Sequence, residues 1–335
     1  MGAPSSETQI PQVEHNILVA ADQGRLDIVT KLLDGGTDPN TADEVGTTAL
    51  HNAAKRGHWH VARLLLEKQA SPGLEDGNYN TPLKLAIEAG HKKVIHLLLE
   101  CDTSPRTSRE ICLAARCGHA NIVQDLLDRG APSLAPANHS TPLHVAAMQG
   151  FPDVCDVLLS HDKKLTRTFW ERMTGPKLAV DTKGSVGHTP FSWAVTNQHP
   201  RTVEVFLRHY PSLVRSYDRN KSLCFHRAIE LKNVEMVRVF LDHGADIEMR
   251  SQYGDRPLHR AVAAGDTEVI QMLLARGAAV DAKNQSGFIP EHLTNDPKIR
   301  MIVRNAGSAR LQAKGLSSES APGVAAAPPP PEYKA

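Results

Sequence analysis

The sequence predicts an all-α fold in which short helix pairs repeat along the chain and stack on one another as a solenoid. A string of the form Thr-Pro-Leu-His-x-Ala-Ala recurs, and its clearest copy spans 141–147. Each copy is followed by a break, usually a glycine, and then by a second apolar stretch. The copies start mostly 33 residues apart, at 15, 48, 81, 109, 141, 189, 223, 256 and 289. A fixed period of this length is the signature of a repeat array.

The recurring string predicts the first helix of each repeat. Threonine is a good N-cap, and proline fits the first helical position, where a missing N–H group costs nothing. The leucine and the paired alanines that follow form a narrow apolar face, on which neighbouring helices approach closely. We therefore expect these first helices to pack against each other from repeat to repeat.

A glycine nine residues after most starts predicts where the first helix ends, because glycine adopts the left-handed conformation that closes a helix. Gln198 and Lys232 occupy this place in two units, where we expect them to cost stability. The second helix follows, with apolar residues on one face, as in 61–66 and 269–274. Neither helix alone buries enough surface, so stability must come from stacking.

Together these motifs resemble the ankyrin-repeat family over residues 15–306, as about eight repeats and a partial C-terminal one. The resemblance implies helix pairs with projecting hairpin loops and a concave face that binds another macromolecule. It also implies that the histidine of each string makes a structural hydrogen bond on the threonine side. Residues 1–14 and 307–335 lie outside the repeats, and we expect both segments to be disordered.

Two steps depart from the period. The loop at 100–108 is five residues short and predicts a truncated hairpin, whereas 160–188 holds about fifteen extra residues. This insertion contains Phe169, Trp170 and several cations, including Lys183. It is either a binding loop that modifies the concave face or an extension whose aromatic pair packs back on the helices.

The position between the histidine and the alanines should face the groove, and it is occupied by Trp193, Arg227 and Arg260 in three consecutive repeats. A tryptophan on a concave surface is a typical binding hot spot. The alternative is that Trp193 packs under the insertion. The candidate partner-binding residues are thus Phe169, Trp170, Trp193, Arg227 and Arg260.

Composition and motifs disfavour other classes of function. The net charge of +1 does not indicate nucleic-acid binding. The chain has no glycine-rich phosphate loop, nucleophile elbow or HExxH motif, so we expect no enzyme, catalytic residue, cofactor or metal. Five cysteines without a signal peptide indicate reduced thiols in the cytoplasm or nucleus. No apolar run reaches the length of a membrane span, so no stable membrane insertion is expected.

Both ends of the chain carry short motifs. Pro330, Pro331 and Tyr333 resemble the PPxY ligand of WW domains, such as those of ubiquitin ligases; the alternative is a solubilising proline-rich tail. Gly2 and Ser6 match a myristoylation pattern, but no basic cluster follows to support membrane binding.

These observations predict a non-enzymatic scaffold or adaptor that binds one protein on the concave face and recruits another through its tail. A regulatory inhibitor that masks a partner's surface without using the tail is the alternative. A peripheral membrane protein anchored at Gly2 is a third and more distant class.

Overall fold

The computed structural model describes residues 16–101, 107–133, 140–169, 180, 182–184 and 186–313. These residues fall into two compact units, which divide between residues 137 and 138. The first unit is an array of helix pairs in which the odd-numbered helices stack on each other, as do α2, α4 and α6. Its helices are α1 (Ile17–Asp22), α2 (Leu26–Asp34), α3 (Ala49–Arg56), α4 (Trp59–Glu67), α5 (Pro82–Ala89), α6 (Lys92–Cys101), α7 (Thr107–Arg116) and α8 (Ala120–Asp128).

The second unit repeats this arrangement, with odd-numbered inner helices and even-numbered outer helices each stacked in sequence. A 3₁₀ turn at Pro290–Leu293 and a last helix complete the array by packing on α15 and α16. The helices are α9 (Pro142–Gln149), α10 (Pro152–Phe169), α11 (Pro190–Thr196), α12 (Pro200–His209), α13 (Cys224–Glu230), α14 (Val234–Asp242), α15 (Pro257–Ala264), α16 (Thr267–Ala275) and α17 (Pro297–Ala313). The predicted all-α fold of stacked helix pairs is thereby confirmed.

In the strings that start at 48 and 141, the threonine and histidine link one repeat to the next. The hydroxyl of Thr48 lies 2.8 Å from Nδ1 of His51, and Nε2 of His51 lies 2.9 Å from the carbonyl oxygen of Asn80 in the following hairpin. Thr141 and His144 form the same pair at 2.8 Å. Both histidines are buried, so each bond satisfies a polar group that would be costly to leave unpaired.

The predicted left-handed breaks are present at glycine and non-glycine positions alike. Gly57 has a φ of 79°, while Gln198 and Lys232 have φ values of 61° and 55°. Gly57 is also fixed by a close approach, because a Cβ atom there would lie 2.5 Å from Nδ1 of His91. Glycine at this break therefore serves both the backbone conformation and the packing of the next repeat.

Two boundaries differ from the sequence-based expectation. The insertion at 160–188 does not begin as a loop, because its first ten residues continue α10 to Phe169. The C-terminal array does not end at 306, because α17 runs to Ala313. Residues 161–169 contain no proline or glycine to stop α10, whereas α17 continues through Gly307.

The core of the second unit is aromatic between α11 and α14. Phe191 packs edge-on against Phe206 and Phe240, with ring centroids 5.7 and 6.0 Å apart. Phe225 lies 5.5 Å from Phe240, and all four rings are fully buried. This cluster concentrates apolar burial in the repeats whose breaks lack glycine.

Candidate partner-binding face

Trp193 lies on the inner helix α11 and is only half-buried, although Phe191, Ser192, Ala194 and Val195 beside it are buried. Thr189 caps this helix by accepting the N–H of Ser192 at 3.2 Å. This difference in burial follows from helix geometry, because Trp193 lies on the side of α11 that faces away from the core. The indole ring contacts His188 with a centroid distance of 4.5 Å. Trp193 thus packs on the last residue of the insertion and also keeps part of its surface open.

The hairpin before α11 holds His188 in this position. The backbone carbonyl of His188 lies 3.2 Å from Nε2 of His144, so the preceding inner helix anchors the hairpin. The His188 ring also lies 3.1 Å from the Ser192 hydroxyl through Nδ1. Burial lowers the pKa of His188, and the positive charge of Arg219 lowers it further. The imidazole beside Trp193 is therefore disposed to stay neutral at physiological pH.

Arg227 and Arg260 occupy the predicted positions on the next two inner helices, but both are paired with acidic side chains. Arg260 lies 3.1 Å from Glu230 and 3.3 Å from Asp255, and only 15% of its side chain is exposed. Arg227 lies 3.3 Å from the other oxygen of Glu230, with 36% exposed. Glu230 thus joins α13 to α15 through Arg260, whereas its pair with Arg227 lies within α13. Arg227 is the more exposed of the two arginines and therefore the better placed to contact a partner.

The sequence-based interpretation did not find these ion pairs. Glu230 stands three residues after Arg227, which is the spacing of neighbours on a helix surface. That spacing is a signal which could have revealed the first pair. The buried position of Asp255, which lies in a hairpin, depends on tertiary packing and has no local signal.

The remaining predicted binding residues lie at the edge of the described residues or outside them. Phe169 ends α10, and Trp170 lies outside the described residues. The tail motif of Pro330, Pro331 and Tyr333 also lies outside the described residues, as do Gly2 and Ser6.

The described ranges contain no group of three or more histidine, cysteine or acidic side chains placed to hold a metal ion. Burial raises the pKa of the Cys155 thiol strongly and that of Cys224 to about 12. Such thiols are poor nucleophiles, because the thiolate is the reactive form. Among the residues that the structure describes, no helix combines the length and apolar composition needed to cross a membrane.

Repeated helix pairs, capped by threonine and linked by histidine, define a protein built of ankyrin repeats. The family model of ankyrin repeats matches residues 17–109, 111–169 and 191–284, which is well over half of the chain. The chain belongs to the ankyrin-repeat family. Repeats of this family form protein–protein interaction domains, and the chain carries such a domain.

Similar proteins share the repeats over limited regions. Mouse Rabankyrin-5 is 26% identical over 141 residues, covering 42% of this chain and 11% of its own length. The ankyrin repeat-containing protein ITN1 of Arabidopsis thaliana is 44% identical over 59 residues, covering 17% and 10%. A protein of Schizosaccharomyces pombe, ankyrin repeat-containing protein P1E11.10, is 50% identical over 42 residues, covering 12% and 20%. The chain thus spans between a tenth and a fifth of these relatives.

Solved ankyrin-repeat domains also resemble the chain. The ankyrin repeat domain of Bcl-3 is 21% identical with a TM-score of 0.49, covering 78% of this chain and all of that domain. The human ASB11 ankyrin repeat domain is 24% identical with a TM-score of 0.38, covering 78% and 98%.

Proposed function

We propose that the chain is a non-enzymatic scaffold or adaptor that binds a partner protein on the inner-helix face of its second unit. The observation that carries this proposal is Trp193, a large aromatic side chain left half-exposed on an inner helix. Arg227 follows on the next inner helix and keeps about a third of its side chain exposed. Tryptophan and arginine are the residues most enriched in binding hot spots.

The test compares two tryptophan variants. Truncating a hot-spot residue costs about 2 kcal/mol, so Trp193→Ala should weaken partner binding by about 30-fold. Trp59→Ala is the matched control, because Trp59 is also half-buried but lies on an outer helix of the first unit. Proteins captured by the wild-type chain and identified by mass spectrometry should be lost with Trp193→Ala and retained with Trp59→Ala. Retention by both folded variants contradicts the proposal.

The tail distinguishes an adaptor from an inhibitor. Consecutive prolines favour the polyproline II helix that WW domains bind, and Tyr333 completes the PPxY pattern. In the adaptor, a WW-containing protein such as a ubiquitin ligase binds this motif while the repeats select the other partner. The inhibitor masks its partner with the repeats alone.

Titration of a 322–335 peptide against a panel of WW domains tests the motif, with the Tyr333→Ala peptide as its control. Equal binding of the two peptides, or no binding tighter than about 100 μM, contradicts recruitment by a WW domain. A truncation for cellular assays should end after Ala313 rather than 306, because α17 runs to that residue. An adaptor loses its activity in this truncation, whereas an inhibitor retains it.

A further inference from the structure

A cleft lies between two neighbouring hairpins of the second unit, which precede α11 and α13. Its volume is about 480 Å³. The hairpin before α11 contributes Lys183, Gly187 and Thr189, and the hairpin before α13 contributes Tyr217, Asp218, Arg219 and Lys221. We call this the hairpin cleft.

The net charge of the residues that line the hairpin cleft is positive. Lys183, Arg219 and Lys221 are exposed, and none of the three forms an ion pair with the residues that the structure describes. The acidic residue of the lining, Asp218, is already engaged: its Oδ1 atom accepts the N–H groups of Asn220 and Ser222 at 2.8 and 2.9 Å. Three cationic side chains thus surround the hairpin cleft while its carboxylate holds the hairpin turn.

A second and independent observation concerns the backbone of Lys221. Its φ is 59°, a left-handed value that is taken by Tyr79 in one other hairpin and by glycine in four, at Gly46, Gly187, Gly254 and Gly287. Left-handed backbone disfavours side chains other than glycine, and such strain is concentrated at functional sites. Tyr217 adds an aromatic ring that is 59% exposed. The hairpin therefore presents an exposed cation and an exposed aromatic ring beside the cleft.

The hairpin cleft lies one helical turn from Trp193. Thr189 lines the cleft and is the N-cap residue of α11, and its carbonyl oxygen accepts the N–H of Trp193 at 3.0 Å. His188 lies between the two, in ring contact with Trp193 and within the electrostatic influence of Arg219. A ligand in the cleft would therefore extend one helical turn to reach the indole.

We propose that the hairpin cleft binds an extended acidic segment of a protein partner, whose carboxylates pair with Lys183, Arg219 and Lys221. This inference rests on the proposed function, since the same segment continues to Trp193. A volume of about 480 Å³ accommodates only a few residues of a partner chain. Three cations in a chain of net charge +1 also fall short of the basic stripe that nucleic acids require.

Selection from a library of short random peptides displayed on phage, with the full chain as bait, tests this proposal. We expect the recovered sequences to be enriched in aspartate and glutamate. A synthetic copy of one recovered peptide should bind in solution, and its copy with asparagine and glutamine at the acidic positions should bind at least about tenfold more weakly. Recovery of no acidic sequences overturns the proposal.

Charge reversal locates the binding. The triple variant K183E/R219E/K221E should weaken the acidic peptide at least about tenfold, because three exposed ion pairs become repulsive. The control K31E/R201E/K298E makes the same change of charge at exposed positions on α2, α12 and α17, and we expect less than a twofold effect. Circular dichroism checks that both variants fold. Equal binding by the two variants overturns the proposal.

Two further outcomes separate this inference from others. If oligouridylate binds as tightly as the acidic peptide and is lost in the same triple variant, the site takes polyanions in general and the proposal of a protein partner fails. If Trp193→Ala loses captured proteins but the triple variant keeps them, the proposed function stands without this inference. If only the triple variant loses its ligand, the hairpin cleft stands and Trp193 is a packing residue.

Discussion

The helix breaks of the first unit and those at 198 and 232 in the second make the same left-handed turn with different residues. At three breaks of the first unit, a Cβ atom on the glycine would meet the ring of a histidine in the next repeat, as for Gly24 with His58 and Gly57 with His91. At the other two breaks, the chain has Gln198 followed in the next repeat by Asn233, and Lys232 followed by Asp266. Where the break residue has a long side chain, the residue that follows the next break has a side chain shorter than histidine.

The residue in the next repeat therefore forms different hydrogen bonds in the two cases. Nε2 of His58 lies 3.0 Å from the carbonyl oxygen of Asp22, and that of His91 lies 3.1 Å from Lys55, so each histidine bonds to the preceding repeat. Asn233 instead accepts the N–H of Met236 at 3.0 Å, which caps its own helix. The glycine–histidine pair couples repeats, whereas the shorter residue stabilises one helix locally.

The repeat that starts at 223 also lacks the threonine cap. Leu223 stands where Thr48 and Thr141 bond to their histidines, so the Nδ1 atom of His226 has no hydroxyl partner. Neither ring nitrogen of His226 makes a hydrogen bond of normal geometry with the described residues. The buried phenylalanine cluster around Phe225 and Phe240 offsets these losses with apolar contacts. The repeats with threonine and histidine are thus linked by hydrogen bonds, whereas the repeat that starts at 223, called here the irregular repeat, is held by its apolar core.

The largest effect is expected at a regular break. Gly57→Ala must place a side chain at a φ of 79° and displace the His91 ring, which would lie 2.5 Å from the new Cβ. The strained backbone and the overpacking together should cost about 3 kcal/mol of unfolding free energy. Urea denaturation followed by circular dichroism measures this cost.

Gly36→Ala is the matched control for that variant. Gly36 has a φ of 89°, but no atom lies within 4 Å of the position its Cβ would take. Only the backbone cost of about 1 kcal/mol should remain. Equal losses in the two variants would show that the histidine adds nothing to the requirement for glycine.

The next effect concerns pH and the irregular repeat. Burial and the nearby positive charge of Arg260 together lower the pKa of His226 to about 4, against the opposing charge of Asp255. Because the folded pKa lies below the unfolded value of 6.5, the unfolded chain takes up the proton first as pH falls. Stability from this group is therefore complete above about pH 6.5 and declines toward pH 4.

Between pH 7 and pH 5 the decline should be on the order of 2 kcal/mol. Urea titrations across this range measure it. Burial also lowers the pKa of His144 and His259, so these two histidines contribute to the pH dependence of the wild-type unfolding free energy as well. The variant His226→Leu isolates the contribution of His226, because its unfolding free energy should change less with pH than that of the wild type. Identical slopes would mean that His226 is not protonated on unfolding.

The comparison also shows what sequence can and cannot predict. The register of the strings was enough to predict left-handed backbone at Gln198 and Lys232, because the break falls at a fixed distance from each start. The continuation of α10 to Phe169 was missed, because counting against the period assigns every extra residue to a loop. The pairing of Arg260 with Asp255 was also missed, because it joins a helix to a hairpin that only packing brings together.

A smaller effect is expected at an irregular break. Gln198→Gly removes the cost of a left-handed glutamine but gives the unfolded chain more conformational freedom. The net gain should lie between a few tenths and about 1 kcal/mol. Thermal melting monitors it, and a clear loss of Tm would show that the Gln198 side chain contributes more than its backbone costs. Its contact with Asn233 is long, at 3.5 Å, so we expect little such contribution.

The smallest change is expected when the regular pair is rebuilt at the irregular break. Asn233→His alone should destabilise the fold, because the imidazole meets the Cβ of Gln198 and the cap on Met236 is lost. In the Q198G background the same substitution should change the unfolding free energy by less than about 0.5 kcal/mol, since a new bond to the preceding repeat offsets the lost cap. The two differences form a double-mutant cycle, and favourable coupling shows that break and histidine act as one unit. Simple additivity would mean that glycine and histidine occur together in the first unit without depending on each other.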